Sequence, residues 1–342
     1  MYEKKIPYYG SKNDKNMSVT AQILPERDFD TFVDCCFGSG NVTRRIPGEM
    51  LGVHKIGIEL DRGMYNLHSQ IKEDVLALIN RIASMENSEQ EYIKNKSMLE
   101  KCINGSTEFT RLDIAAAELM VLAFSINSMR AAWRNKDFPL KYQQYDKRDR
   151  AQKVIETFNN KFYEKLPVAL LDLSECWKDL ELINGDFMDY TSFWEKAGTF
   201  CYLDLPYELK KRGVKQDSKK DAGYMIDMSQ SDHEKFISEV CKKVIQGKLK
   251  ADLMICTNYE IDDMTGNIIV EPDDLYINLL KQNFRMVVTE RKESSEIIRK
   301  NSSQDKKKRK IKAEVVYINY KNIRGSWDNF EYYDYSDILK NA

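Results

Sequence analysis

The chain has 342 residues, 42% of them hydrophobic and 31% charged, with a net charge of -1. That is enough chain for one large domain plus an insert, and the balanced charge excludes a protein that holds nucleic acid by bulk electrostatics, so any basic surface has to be local. Seven cysteines without a Cys-x-x-Cys pair, and only three histidines (His54, His68, His233), argue against a disulfide scaffold and a structural zinc site.

The first residues, Met1 to Lys5, lack the apolar segment of a signal peptide. The longest apolar run, residues 114–126, is broken by Glu118 and is too short to span a bilayer. A soluble protein of a reducing cytoplasm is expected. Residues 6–16 form a polar, turn-prone opening in which Gly10 permits unusual backbone angles and Lys12 could reach an anion. Residues 31–33 read as a strand that runs into Asp34, with Gly38 and Gly40 just beyond. Strand, glycine turn, then helix is the arrangement that lets backbone N–H groups approach a cofactor closely, although the pattern is not a full G-x-G-x-x-G. A second strand, 55–58, ends at Glu59, with Asp61 following. An acid there, about 20 residues past the glycines, is where a ribose hydroxyl pair is gripped; the plainer reading is a solvated strand end.

Residues 70–84 place Ile71, Val75, Leu78, Ile79 and Ile82 on one helical face, a packing surface. Residues 85–112 are polar without a clear period and read as a loop or mobile connection. A helical apolar run from Ile114 leads into 125–138, where Arg130, Arg134, Asn127, Asn135, Lys136 and Trp133 are interleaved. Such a mix can meet phosphates with its cations and base edges with Asn or Arg; it also describes a charged helix end with one buried Trp. Residues 141–166 read as a charged, solvated helix. Five more strands follow, at Leu180–Asn184, Thr199–Leu203, 253–256, 284–289 and 315–320, making seven. Asp34, Glu59, Asp186 and Asp204 all stand at or just past strand C-terminal ends, where open parallel α/β sheets bind ligands, so these acids are expected on one rim. Two basic runs, Lys210, Lys211, Arg212, Lys215, Lys219 and Lys220, and then 306–310 with Lys308 and Arg309, suit a phosphate backbone better than two ordinary solvated loops. The aromatic, acidic tail, 327–335, could dock on the domain or on a partner.

Taken in order, these stretches resemble the Dam-type DNA adenine-N6 methyltransferases, which use S-adenosylmethionine. The family's opening Pro-Gly-Gly-Lys is matched by Tyr9-Gly10-Ser11-Lys12, and its Phe-Val-Glu-Pro-Phe-x-Gly-Ser-Gly by Phe32-Val33-Asp34-Cys35-Cys36-Phe37-Gly38-Ser39-Gly40. Its Asp-x-Asn corresponds to Glu59-Leu60-Asp61, its Gly-Asp-Phe to Gly185-Asp186-Phe187, and its catalytic Asp-Pro-Pro-Tyr to Asp204-Leu205-Pro206-Tyr207. Tyr224, Asp232-His233, Glu314 and Asn319-Tyr320 fit later family features. Leu205 replaces a proline, and Cys35-Cys36 replaces Pro-Phe.

The resemblance implies a Rossmann-like methyltransferase fold, a seven-stranded mixed sheet with an inserted, mainly helical target-recognition domain. The catalytic and cofactor domain would span 1–69 and 168–325, the insert 70–167, and a C-terminal tail 326–342. Asp204, Leu205, Pro206 and Tyr207 would be catalytic. Tyr9, Gly10, Lys12, Asp34, Cys36, Phe37, Gly38, Gly40, Glu59, Leu60, Asp186, Phe187 and Asp204 would hold S-adenosylmethionine, with no metal. Asn127, Arg130, Arg134, Asn135, Lys136, Lys211, Arg212, Lys308 and Arg309 would contact duplex DNA. A cognate restriction endonuclease is a candidate partner, in a bacterial cell, host-encoded or phage-encoded. The alternatives are a catalytically weak, methyltransferase-like DNA-binding subunit of a restriction or phage-defence assembly, and a methyltransferase acting on RNA or protein glutamine.

Overall fold

The computed structural model of the protein describes residues 6, 14–45, 52–124, 160–208, 228–262, 265–271, 273–293 and 311–337. All seven expected strands form: β1 Thr31–Asp34, β2 His54–Glu59, β3 Leu180–Asn184, β4 Thr199–Leu203, β5 Asp252–Glu260, β6 Arg285–Glu293 and β7 Ile311–Ile318. An eighth, β8 Tyr332–Tyr333, comes from the aromatic tail and pairs with β6 at Met286 and Val287. The fold is α/β with one eight-stranded mixed sheet among the described residues, in the order β3-β2-β1-β4-β5-β7-β6-β8. The sheet thus has eight strands where seven were expected. A two-residue strand made of Tyr332 and Tyr333, flanked by Glu331 and Asp334, is too short to show an alternating pattern.

The α-helices among the described residues are α1 Asp14–Ile23, α2 Asn41–Arg45, α3 Arg62–Ala83, α4 Glu89–Ile103, α5 Arg111–Phe124, α6 Leu166–Cys176, α7 Gln230–Ile245 and α8 Ile277–Leu280. None of them is long and apolar enough to cross a membrane. The described residues divide into two compact units, one built on β1–β3 (Ile6 and residues 31–190) and one on β4–β8 (residues 14–30 and 191–337).

In the first unit β1, β2 and β3 run parallel, Val33 opposite Ile56 and Gly57 opposite Leu182. Helices α3, α4, α5 and α6 share one core with Phe37, Trp177 and Leu180. Asp61 starts α3, its carboxylate accepting from the amides of Gly63 (2.8 Å) and Met64 (3.2 Å). Ile71, Leu78 and Ile82 are buried on the expected face, with Val75 and Ile79 partly so. The helix departs from helical geometry at Asp74 (φ -154°, ψ 80°), whose backbone carbonyl accepts from the Gln70 side chain at 2.9 Å.

The expected loop over 85–112 is instead mostly helix, α4, capped by the Ser88 hydroxyl on the Glu91 amide at 3.2 Å. Its buried stripe is Tyr92, Asn95, Lys96, Met98, Leu99 and Cys102, which has helical spacing, but two of the six positions are polar. The mixed stripe hides the period. Asn95 survives burial because its amide donates to the Glu91 carbonyl at 2.7 Å and lies 3.3 Å from Met120 Sδ.

In the second unit β4 and β5 are parallel, and β7 runs antiparallel to both β5 and β6. Every residue of β4 is buried, the pattern of a central strand covered on both faces. Asn319, just past β7, clasps the start of β5: its side-chain oxygen accepts from the Leu253 amide (2.7 Å) and its nitrogen donates to the Ala251 carbonyl (2.9 Å). The Arg27 guanidinium grips the buried Asp252 carboxylate with two bonds, 2.7 and 2.5 Å. Helix α7 opens with a reciprocal cap between Ser229 and Asp232, which holds the Asp232 carboxyl below its usual range through the Ser229 hydroxyl.

Candidate active site

The first unit carries three acids on three neighbouring parallel strands: Asp34 ends β1, Glu59 ends β2, and Asp186 follows β3 by two residues. The glycine turn after β1 is shaped by two left-handed residues, Gly38 (φ 51°) and Gly40 (φ 67°). Gly40 donates to the Phe37 carbonyl at 2.8 Å, closing the turn, and a side chain there would meet the rings of Phe37 and Trp177 at 2.7 Å.

Glu59 is the hub. One carboxylate oxygen accepts from the Gly38 amide and the other from the Asp61 amide, both at 2.8 Å, with the residue buried. It therefore ties the turn after β1 to the turn after β2. Its backbone carbonyl accepts from the Gly185 amide (3.1 Å) and the Asn184 side chain (2.7 Å), which adds the turn after β3. Asp34 is buried and accepts from the Thr43 hydroxyl of α2 at 2.8 Å. Asp186 caps the following 3-10 helix, Phe187–Glu195, by accepting from the Met188 amide at 2.9 Å.

The side chain of Phe37 points inward. It lies over Gly57, where an added Cβ would stand 2.5 Å from the ring, so β2 has a glycine where it passes beneath the turn. The ring meets His68 edge-on at 4.6 Å and Trp177 at 5.4 Å. His68 is fully buried and bonds the Gly38 carbonyl at 2.7 Å through Nε2, which must be the donor because a carbonyl only accepts. Burial pushes the His68 imidazole down to about 4, against the pull of that bond. Cys36 is half-buried and Leu60 exposed, both on the turns, while Phe187 is buried.

In the second unit, β4 delivers Asp204-Leu205-Pro206-Tyr207. Leu205 is buried, and Asp204, Pro206 and Tyr207 are half-buried. A leucine side chain seated in the core anchors this turn by packing, where a second proline would have acted through its ring. The second unit also holds a buried polar network. Tyr259 donates to Asp274 at 3.1 Å, so the 2.6 Å contact between the two hydroxyls runs from Tyr317 to Tyr259. Asp274 also accepts from the Tyr276 amide (2.8 Å), and the Tyr276 hydroxyl meets His233 Nδ1 at 3.1 Å. Burial raises the Tyr259 and Tyr317 phenols well above their ordinary range, keeping both neutral.

Asp34, Gly38, Gly40, Glu59, Asp186 and the flanking Cys36, Phe37, Leu60 and Phe187 thus gather in the first unit. Asp204 to Tyr207 belong to the second. Tyr9, Gly10, Lys12, Asn127, Arg130, Arg134, Asn135, Lys136, Lys211, Arg212, Lys308 and Arg309 lie outside the described residues, as does Tyr224. Asn319 is occupied in clasping β5, and Tyr320 donates to the Ile23 carbonyl at 2.9 Å. Sequence reasoning missed Thr43, His68 and Trp177. On α3, His68 sits among Met64, Leu67 and Ile71, a setting that reads simply as core. Among the described residues no group of three or more His, Cys, Asp or Glu could hold a metal ion. No family model matches this sequence, and a search of curated proteins returned no match.

The three strand ends with their turns, residues 34–40, 59–61 and 184–189, carry the carboxylates of Asp34, Glu59, Asp61, Asp186 and Asp189 and no lysine or arginine. A pyrophosphate would meet repulsion from these acids. A nucleoside with ribose hydroxyls to donate and a cationic centre in place of phosphates suits them. S-adenosylmethionine has that chemistry, and the residues present fit it.

Proposed function

We propose that this chain is a Rossmann-like, S-adenosylmethionine-dependent DNA methyltransferase acting on the N6 amine of adenine. The observation that carries the reading is the set of strand-end acids Asp34, Glu59 and Asp186, whose turns Glu59 knits together, in a chain whose β4 runs into Asp-Leu-Pro-Tyr. Glu59 would hold the ribose hydroxyls of the cofactor, Asp186 and Phe187 its adenine, and Asp34, Gly38, Gly40 and Lys12 the remainder. When bound, that cofactor supplies an electrophilic methyl group on a sulfonium.

The task left to the protein is to make a poor nucleophile competent. The adenine amino lone pair is delocalised into the ring. The Asp204 carboxylate and the Leu205 backbone carbonyl would accept its two hydrogens, favouring the tetrahedral form and orienting the nitrogen. Leu205 is buried, and Pro206 restricts its own φ and keeps Leu205 out of the helical region, which limits where the Leu205 carbonyl can point. Tyr207 would stack on the base, which has to leave the duplex to be reached. Asp204 can hold the proton that the amine gives up afterwards, so no histidine base is needed. Contacts to the duplex would fall to Asn127, Arg130, Arg134, Asn135, Lys136, Lys211, Arg212, Lys308 and Arg309.

The test is transfer of a labelled methyl group from S-adenosylmethionine to duplex DNA, with digestion to nucleosides. The expected product is N6-methyladenine, abolished by Asp204→Ala while cofactor binding persists. Undiminished transfer by that variant rejects the role of Asp204. Label recovered in RNA or in protein glutamine changes the acceptor, and cofactor binding without transfer by the unaltered protein points to a DNA-binding subunit.

A further inference from the structure

We propose that His68 is a positioning residue that sets the cofactor turn by clamping Gly38. The bonds form a closed circuit. The α3 cap residue Asp61 gives its amide to Glu59 at 2.8 Å, and the other Glu59 oxygen takes the Gly38 amide at 2.8 Å. The Gly38 carbonyl takes His68 Nε2 at 2.7 Å, and His68 lies on α3, two turns after the cap. Gly38, at φ 51°, is thus held on both its amide and its carbonyl sides, and both holds are referred to one helix. The Glu59 carboxylate is oriented by the same circuit.

A packing role alone does not account for an imidazole here. His68 is 0% exposed, and its Nδ1 has no hydrogen-bond partner among the described residues. An unsatisfied buried acceptor destabilises, and a phenylalanine would fill the site, edge-on to Phe37 and Trp177, without that penalty. The one thing the imidazole adds is the bond to Gly38. The neutral Nε2–H tautomer is the form required, because only it donates to the carbonyl while staying uncharged in the core.

The consequence for turnover rests on the methyltransferase reading. Losing the clamp frees Gly38 and with it the orientation of Glu59, a ground-state binding group, so KM for the cofactor should rise about tenfold in His68→Phe while kcat stays within about twofold. In His68→Gln the side-chain amide can donate to the same carbonyl, and KM should return toward the original value. A fall in kcat at constant KM, or equal KM in all three proteins, overturns the proposal. The clamp is also tested without catalysis. With three histidines in the chain, long-range nitrogen NMR of the labelled protein reads the His68 tautomer directly. A protonated Nε2, a bare Nδ1 and faster Gly38 amide exchange in His68→Phe are expected; a protonated Nδ1 or unchanged Gly38 exchange refutes the clamp. If His68→Phe does not fold, the tautomer of the unaltered protein and the Gln variant decide. A protein that binds no S-adenosylmethionine at millimolar concentration fails the functional reading, and the NMR result then judges the clamp by itself.

Discussion

Replacing Glu59 by glutamine changes almost no volume and removes one acceptor. The carboxylate now accepts from two backbone amides, Gly38 and Asp61, each at 2.8 Å, in a buried site. Glutamine offers a single carbonyl oxygen, so whichever way the amide turns, its NH2 group faces a backbone N–H, donor against donor. One charge-assisted bond is lost, about 2 kcal/mol, and the other becomes a neutral bond worth about 1 kcal/mol less, for a total of about 3 kcal/mol. For 342 residues with an unfolding entropy of about 2 cal/mol/K each, that lowers Tm by about 4 °C if the chain melts as one transition. Urea denaturation at neutral pH gives the free energy, and calorimetric titration with S-adenosylmethionine gives the affinity, which should fall at least tenfold on the proposed function. A Glu59→Gln protein as stable as the original would refute the bridging role, since an isosteric exchange of a solvated strand-end acid costs within about 0.5 kcal/mol.

Other expectations follow from single geometries. The His68 imidazole is depressed from 6.5 to about 4, so on acidification the unfolded chain takes up this proton first. Stability present above pH 6.5 is therefore lost progressively as pH falls to about 4, by about 3 kcal/mol in all, and urea midpoints of the original protein and His68→Phe at pH 7 and pH 5 should diverge accordingly. Parallel pH slopes would count against a buried neutral imidazole. Gly40→Ala combines a left-handed φ of 67° with a Cβ 2.7 Å from Phe37 and Trp177, and should cost about 3 kcal/mol in the same assay. Arg27→Ala leaves the buried Asp252 carboxylate without its two-pronged partner and should lower stability by about 2 kcal/mol; a double-mutant cycle with Asp252→Asn should recover a coupling of about 1 kcal/mol or more, and additive losses would contradict the pairing.

The amino-acid sequence by itself determined where the strands and the α3 face lie. The seven strands announce themselves as short apolar runs, the first four of them leading into Asp, Glu or Gly, and Ile71, Leu78 and Ile82 announce a helix face, because a period of two or of 3.6 is written in neighbouring residues. Tertiary structure alone decided the rest. That β7 runs antiparallel between β5 and β6 depends on pairing across the sheet. Helix α4 was hidden because Asn95 and Lys96 are buried by neighbours that no local window contains. Phe37 turns inward because Gly57, 20 residues away, leaves room for its ring, and the Glu59 carboxylate is claimed by an amide 21 residues upstream. His68 gains its meaning from a carbonyl 30 residues away. Composition and spacing record which groups a chain has to offer; which of them meet is set by packing, since a hydrogen bond in the core forms only when the fold has brought both partners out of water together.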